Sequence, residues 1–392
     1  MRAYLSLLLL VIATSLFAQQ KPDFSTYTEF LETEIAEDHI AGAVSLIVRD
    51  GKVLHEGAWG FANREKKEAM APDQIFHLMS MTKPIVSLAF MMLHEEGKFQ
   101  LEDPVSKYLE GFDELQVATS LKKGKDVATV PAKTPITIRQ VLTHTAGFSH
   151  GLSGSPLDND IARALYYSPQ ENIESRVMTL RQLPLHFQPG TRWFYSASPD
   201  ILALLIEHFS GMTAADFLQK RIFTPLNMAD TGYNLPEDKA AKMAKLYKVE
   251  DGKLVRDPMQ MGATGNKVYG GTHGLLSTAA DYGKFCQMLL DGGKAPDGTP
   301  LVKEATLALM TRNHLGDIPY RAGQGFGLGF GLDTEVPEDG LGAAGRYYWS
   351  GAYSTFFFVD PENDLYAILM TQLAPFTGSY GDALRKYVYQ GL

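Results

Sequence analysis

The pattern of apolar and polar positions puts strand-like runs at the two ends of this chain and helical runs between them. Phe24, Tyr27, Leu31 and Ile35 recur at helical spacing, so residues 24–38 read as an amphipathic helix. Two β-like runs follow, 43–49 and 52–60. Asp50-Gly51 between them is a hairpin signal, because both residue types tolerate the backbone of a tight turn. Residues 80–97, apolar from Ile85 to Leu93, predict a buried helix. Pro84 fits there because first-turn N–H groups have no helical partner. Thr137-Ile138-Arg139-Gln140 is a capping box that opens a short helix ending near Gly147. Ser198-Pro199 opens another, 200–210, with Gly211 as its stop, and residues 277–290 form a third. β-like runs return at 325–332, 353–359 and 365–372, the last two joined by the turn Asp360-Pro361-Glu362-Asn363, and 379–390 closes as a helix. The expected class is α+β with an inserted, mostly helical lobe. The division runs as a sheet lobe over about 22–79 and 300–392 and a helical lobe over about 80–299.

Composition narrows this picture. Arg2, the apolar run 5–13 and Leu16-Phe17-Ala18 have the order of a secretion signal, residues 1–18, which leaves 19–392 as the mature exported domain. The expected location is the periplasm or the medium. No segment reaches 18 uninterrupted apolar residues, so no stable membrane span is expected. Cys286 is the single cysteine, which excludes an internal disulfide. A formal charge of −9 argues against nucleic acid as a partner.

The candidate chemistry centres on Ser80-Met81-Thr82-Lys83. Residues three apart share a helix face, so Lys83 can reach the Ser80 hydroxyl and help remove its proton. Ser-x-x-Lys is also matched by Ser120-Leu121-Lys122-Lys123, which lies in a polar stretch without an apolar helix behind it and reads as a solvated loop. Tyr195, in Tyr195-Ser196-Ala197-Ser198 at a helix start, is either a proton shuttle or an aromatic packed on Trp193 and Phe194. Trp349-Ser350-Gly351-Ala352 either aims backbone N–H groups at an oxyanion or is an ordinary bend. Gly147-Phe148-Ser149-His150-Gly151 matches the α/β-hydrolase nucleophile elbow, but a helix precedes Ser149 where that elbow needs a strand. His144, His150 and His273 sit beside glycines and read as structural histidines. No histidine spacing suits a metal, and Gly270-Gly271-Thr272-His273-Gly274 lacks the lysine of a phosphate loop.

In order along the chain, these segments resemble the serine β-lactamase, penicillin-binding protein and esterase superfamily on its class C-like branch. The segment Phe76 to Lys83 resembles the nucleophile segment, and Val141-Leu142-Thr143-His144-Thr145-Ala146-Gly147 a landmark after it. Trp193-Phe194-Tyr195-Ser196-Ala197 resembles the tyrosine segment, and the stretch from Gly270 to Thr278 a further landmark. Trp349-Ser350-Gly351 stands where the family has Lys-Thr-Gly or His-x-Gly. The likeness covers nearly the whole mature chain. It implies a β-lactamase/transpeptidase-like fold whose antiparallel sheet draws on both chain ends and is flanked by helices.

The resemblance also implies acyl transfer with no metal or organic cofactor. Ser80 would attack a carbonyl, Lys83 and Tyr195 would share its proton, and the N–H groups of Ser80 and Ala352 would hold the oxyanion. Trp349, Ser350 and Gly351 would line the substrate site. Because lysine and tyrosine both titrate near 10, the site must lower one of them. Two departures bear on substrate. Ala197 replaces the asparagine of Tyr-x-Asn, and Trp349 replaces a lysine that would complement a substrate carboxylate. Both favour a neutral ester, and the Trp-x-Gly form resembles that of family VIII carboxylesterases. The expected activity is a secreted esterase on short or medium acyl esters, with a small-molecule ester or amide as its partner. The alternatives are a β-lactamase or cell-wall peptidase, an acyltransferase, and a catalytically silent binding protein. Loops 114–135 and 152–172 are expected to shape the pocket.

Overall fold

A computed structural model describes residues 21–392, so the expected signal segment 1–18 lies outside the described residues. Helix α1 (Ser25–Ala36) leads into the hairpin β1 (Gly42–Arg49) and β2 (Lys52–Asn63) and the short edge strand β3 (Glu68–Ala69). The helices that position the site follow: α2 (Thr82–Glu95), α3 (Ile138–Leu142), α4 (Ile173–Gln182), α5 (Pro199–Ser210) and α6 (Ala279–Leu290). Strands β4 (Gln324–Phe326), β5 (Gly331–Asp333), β6 (Tyr347–Gly351), β7 (Thr355–Asp360) and β8 (Leu365–Met370) come next, and α7 (Ser379–Gly391) ends the chain. The strands form one eight-stranded antiparallel sheet in the order β4-β5-β6-β7-β8-β1-β2-β3. Its seam joins the two chain ends, with Ser45 opposite Leu369 and Ile47 opposite Ala367. This is the α+β fold that the sequence implies.

Strand alternation sorts the sheet's residues between two cores. Leu365, Ala367 and Leu369 of β8 pack with Tyr27 and Leu31 of α1 and with Leu384 and Val388 of α7. Ile368 and Met370 face the other way, toward Tyr282 and Phe285 of α6, Phe90 of α2 and Leu205 of α5. This second core runs without a break from the sheet into the helical region. Helix α6 packs across β1, β7 and β8, although the sequence division leaves it in the helical lobe.

Four local expectations differ from the structure. The helix read from Ser80 begins at Thr82; Met79–Met81 form a separate 3-10 turn, with Met79 at φ 48°. The run 325–332 is two strands joined by a turn at Gly329, whose φ is 97° and where a Cβ would lie 2.4 Å from Ser87 Oγ on α2. Tyr347–Gly351 is a strand in its own right, and Tyr353 and Ser354 belong to the turn after it. The helix opened by the Thr137 capping box stops at Leu142, because His144 takes φ 56°. Among the described residues, no single helix is long and apolar enough to cross a membrane.

Candidate active site

Ser80 sits on the 3-10 turn just ahead of α2, and Lys83 lies in the first turn of that helix. Lys83 Nζ is 3.0 Å from Ser80 Oγ and donates to the carbonyl oxygen of Thr272 at 2.9 Å. The Tyr195 hydroxyl donates to Ser80 Oγ at 2.6 Å. Lys83 Nζ also stands 4.6 Å from the centre of the Tyr195 ring. Tyr195 is held by backbone bonds on either side: Phe194 N donates to His144 O at 3.0 Å, and Ala197 N to Ser149 O at 3.1 Å. The segment from His144 to Ser149 therefore acts as the support for the tyrosine. The structure thus brings Ser80, Lys83 and Tyr195 into one hydrogen-bonded cluster.

Burial makes the lysine, not the tyrosine, the group whose pKa falls. Lys83 is 1% exposed, and desolvation holds its pKa well below the ordinary value, opposed by the charge of Asp200. Tyr195 shifts upward because it is packed among rings, with the Ser80 hydroxyl and the Trp349 side chain pulling the other way. A neutral amine beside a neutral phenol can accept the Ser80 proton, whereas an ammonium can only donate. Asp200, which the sequence offered only as a residue of a helix start, accepts the Thr272 N–H at 2.8 Å and so fixes the backbone that holds Lys83.

Trp349 closes the third side. Its ring is 5.5 Å from Tyr195 and 5.4 Å from Phe326, and its indole N–H meets no acceptor at hydrogen-bonding geometry. Pairing with Phe357 puts Trp349 on the inner face of the sheet; Ser350, opposite Phe356, turns its side chain to the outer face, so only its backbone can line the site. At Gly351 a Cβ would lie 2.3 Å from Leu78 O, and only glycine lets β6 lie this close to the turn that carries Ser80. Ala352 is exposed in the turn after β6. The backbones of Ser80 and Ala352 thus come from adjoining segments, as an oxyanion pair requires.

The decoys resolve clearly. Ser149 Oγ donates to Asp158 at 2.6 Å, and His186 approaches that same carboxylate at 2.9 Å, so the acid stands between serine and histidine and no base faces the hydroxyl. Burial raises the Asp158 pKa, but His186, Ser149 and Ser153 outweigh it and hold the carboxyl low. Ser120 accepts the Lys122 N–H in a loop, and Lys123 is exposed. His144 is satisfied by Ser196 at 2.9 Å and His150 by Tyr166 at 3.0 Å. Both rings also pack on Tyr195, and burial with the nearby Lys83 pushes His150 down to about 3. Tyr166 comes from the segment 152–172, expected as a loop; the structure instead forms a helix there, Pro156–Ala162, that runs on into a π-helical turn, Arg163–Tyr167. Glu34, Glu37 and His39 could converge on a metal ion, but they lie at the end of α1 on the other side of the sheet, remote from Ser80.

A sheet built from both chain ends, with a Ser-x-x-Lys turn pressed between it and a helical lobe, defines the serine-hydrolase superfamily that includes β-lactamases, penicillin-binding proteins and esterases. The chain belongs to the Beta-lactamase family, whose profile matches residues 27–390. Esterase EstB of Burkholderia gladioli is 29% identical over 91% of this chain and 92% of its own. Lovastatin esterase of Penicillium rubens is 30% identical over 76% and 80%. The solved structure of EstCE1, described as a hydrolase with promiscuous acyltransferase activity, superposes with a TM-score of 0.77 at 26% identity, covering 93% of this chain and 98% of that one.

Proposed function

We propose that the protein is a carboxylesterase that works through an acyl-enzyme on short or medium acyl esters. The observation that carries this reading is Ser80 Oγ held between Lys83 Nζ at 3.0 Å and the Tyr195 hydroxyl at 2.6 Å, with the lysine buried. Neutral Lys83 takes the Ser80 proton as Oγ attacks the ester carbonyl. The N–H groups of Ser80 and Ala352 receive the oxyanion. Tyr195 gives its proton to the departing alkoxide, and the Lys83 ammonium then reprotonates the phenolate. Water attacks the acyl-enzyme in the second half and gives a proton to the same pair, which returns it to Ser80 Oγ as the acyl–oxygen bond breaks and the acid leaves.

Trp349 offers a substrate apolar surface and one free N–H, which suits a neutral ester better than an anionic β-lactam. The names of EstB and lovastatin esterase support the esterase reading. The description of EstCE1 supports a second one, transfer of the acyl group to an alcohol in place of water. In a p-nitrophenyl butyrate assay, Ser80→Ala should lower kcat by ~10⁴-fold or more. Intact mass should detect an acyl adduct on the wild-type protein only. Unchanged turnover in the variant would remove Ser80 from the mechanism. Turnover of a chromogenic cephalosporin equal to that of the ester would instead favour a β-lactamase. Residues 1–18 support export, which a cell-fractionation blot of the full-length chain tests.

A further inference from the structure

A second polar cavity, of about 280 Å³, lies behind the ring layer that backs Tyr195. Arg176 of α4 lines it and is 9% exposed. Among the described residues this guanidinium donates no hydrogen bond, and its Nε is buried without a partner. Its countercharge is Asp200, whose Oδ2 forms an ion pair with Arg176 Nη1 at 3.7 Å and has no hydrogen-bond partner of its own, while Oδ1 accepts the Thr272 N–H. The rest of the wall mixes polar Gln170, Asn266 and His273 with Tyr233, Met261 and Val268, and exposed Lys267 adds a second cation.

A buried guanidinium whose Nε has no partner keeps a donor for a planar anion, because its fork matches a carboxylate. The cavity is also close to the reacting atoms. Its wall residue His273 directly follows Thr272, whose carbonyl accepts from Lys83 Nζ at 2.9 Å. The ring of Tyr166 bridges the two sites, packing under Arg176 at 5.6 Å and bonding His150, which stacks on Tyr195.

We infer that Arg176 is a specificity-determining residue that binds a terminal carboxylate on the substrate, so that the enzyme prefers esters carrying an acid group at the end of a short chain. The inference rests on the esterase reading above and names the substrate class of that same site. The cation missing at Trp349 is supplied from the opposite side of the nucleophile, by the helical lobe.

The test compares 4-nitrophenyl hydrogen adipate with two neutral partners of matched length, 4-nitrophenyl hexanoate and the adipate monoamide ester. The adipate should have a kcat/KM about tenfold or more above both, carried mostly by KM. Arg176→Met should abolish the preference, and Arg176→Lys should restore part of it. Free adipate should bind Ser80→Ala protein by calorimetry, and the added Arg176→Met change should remove that binding. Equal rates for all three esters, or no heat from adipate, would overturn the inference. In the first case Ser80-dependent turnover of hexanoate would leave the esterase reading standing. Failure of a fluorophosphonate to label Ser80, with adipate still binding, would sink the esterase reading and keep the anion site.

Discussion

At the scale of single residues, the site depends on one side chain losing its proton. The sequence identifies Lys83 and Tyr195 as two groups that both titrate near 10, without deciding between them. The structure decides, because Lys83 is fully enclosed at the start of α2 while Tyr195 is enclosed by rings and shifts the other way. Ester kcat/KM should therefore rise with pH as Lys83 deprotonates, with the midpoint of that limb below 10.5. Lys83→Arg, which stays charged, should lower kcat by ~10²- to 10⁴-fold and remove the limb. Stability follows the same group. Between the folded pKa of Lys83 and its ordinary value of 10.5 the unfolded chain holds a proton that the folded chain lacks, so stability rises with pH across that window. Lys83→Met should flatten that slope in pH-dependent urea melts. Trp349→Lys would place a cation where the sequence departs from β-lactamases. It should raise acylation by a chromogenic cephalosporin and lower ester turnover; a fall in both would show that the indole serves the shape of the site, not its charge.

At the scale of elements, the turn before α2 and the strand β6 decide how closely the reacting backbones approach. Met79 at φ 48° is a non-glycine residue in a disfavoured region, directly before the nucleophile, where such strain is commonly tolerated for function. Gly351 is the matching contact from the sheet. Gly351→Ala should drive β6 away from Leu78 and cost about 10²-fold in kcat, by the usual penalty for small misplacement of catalytic groups. A larger loss in thermal stability than in activity would count against that positioning role. Sequence periodicity found α2, α5 and α6 because long apolar faces are local patterns. It missed β6 and took 325–332 as one run where the structure has two strands, because these short, glycine-rich segments become strands only through their neighbours on the sheet. It also missed Asp200 and Thr272 beside Ser80 and Lys83, since each meets a partner far away in the chain.

At the scale of the whole molecule, the core beneath the helical lobe is continuous with the inner face of the sheet. The two lobes named from the sequence therefore have no separate cores to melt independently. Far-ultraviolet circular dichroism and tryptophan fluorescence should give coincident urea transitions, and two separated midpoints would contradict a shared core. The outer face is the more accessible place to weaken the fold without touching the site. Leu384→Ala, at a fully buried position on α7, should destabilise by about 2–5 kcal/mol and leave KM for the ester unchanged.

The sequence by itself determined what local patterns and spacing can carry. The serine, lysine and tyrosine segments, the replacement of lysine by Trp349, the α+β class and the main helices are all readable in it. Tertiary structure alone decided that Ser149 faces an acid and that Lys83 bears the lowered pKa. It alone placed Arg176 beside the catalytic cluster. The physical reason is the same in each case: burial, desolvation and the meeting of residues more than a hundred positions apart are properties of the packed chain, and no local spacing encodes them.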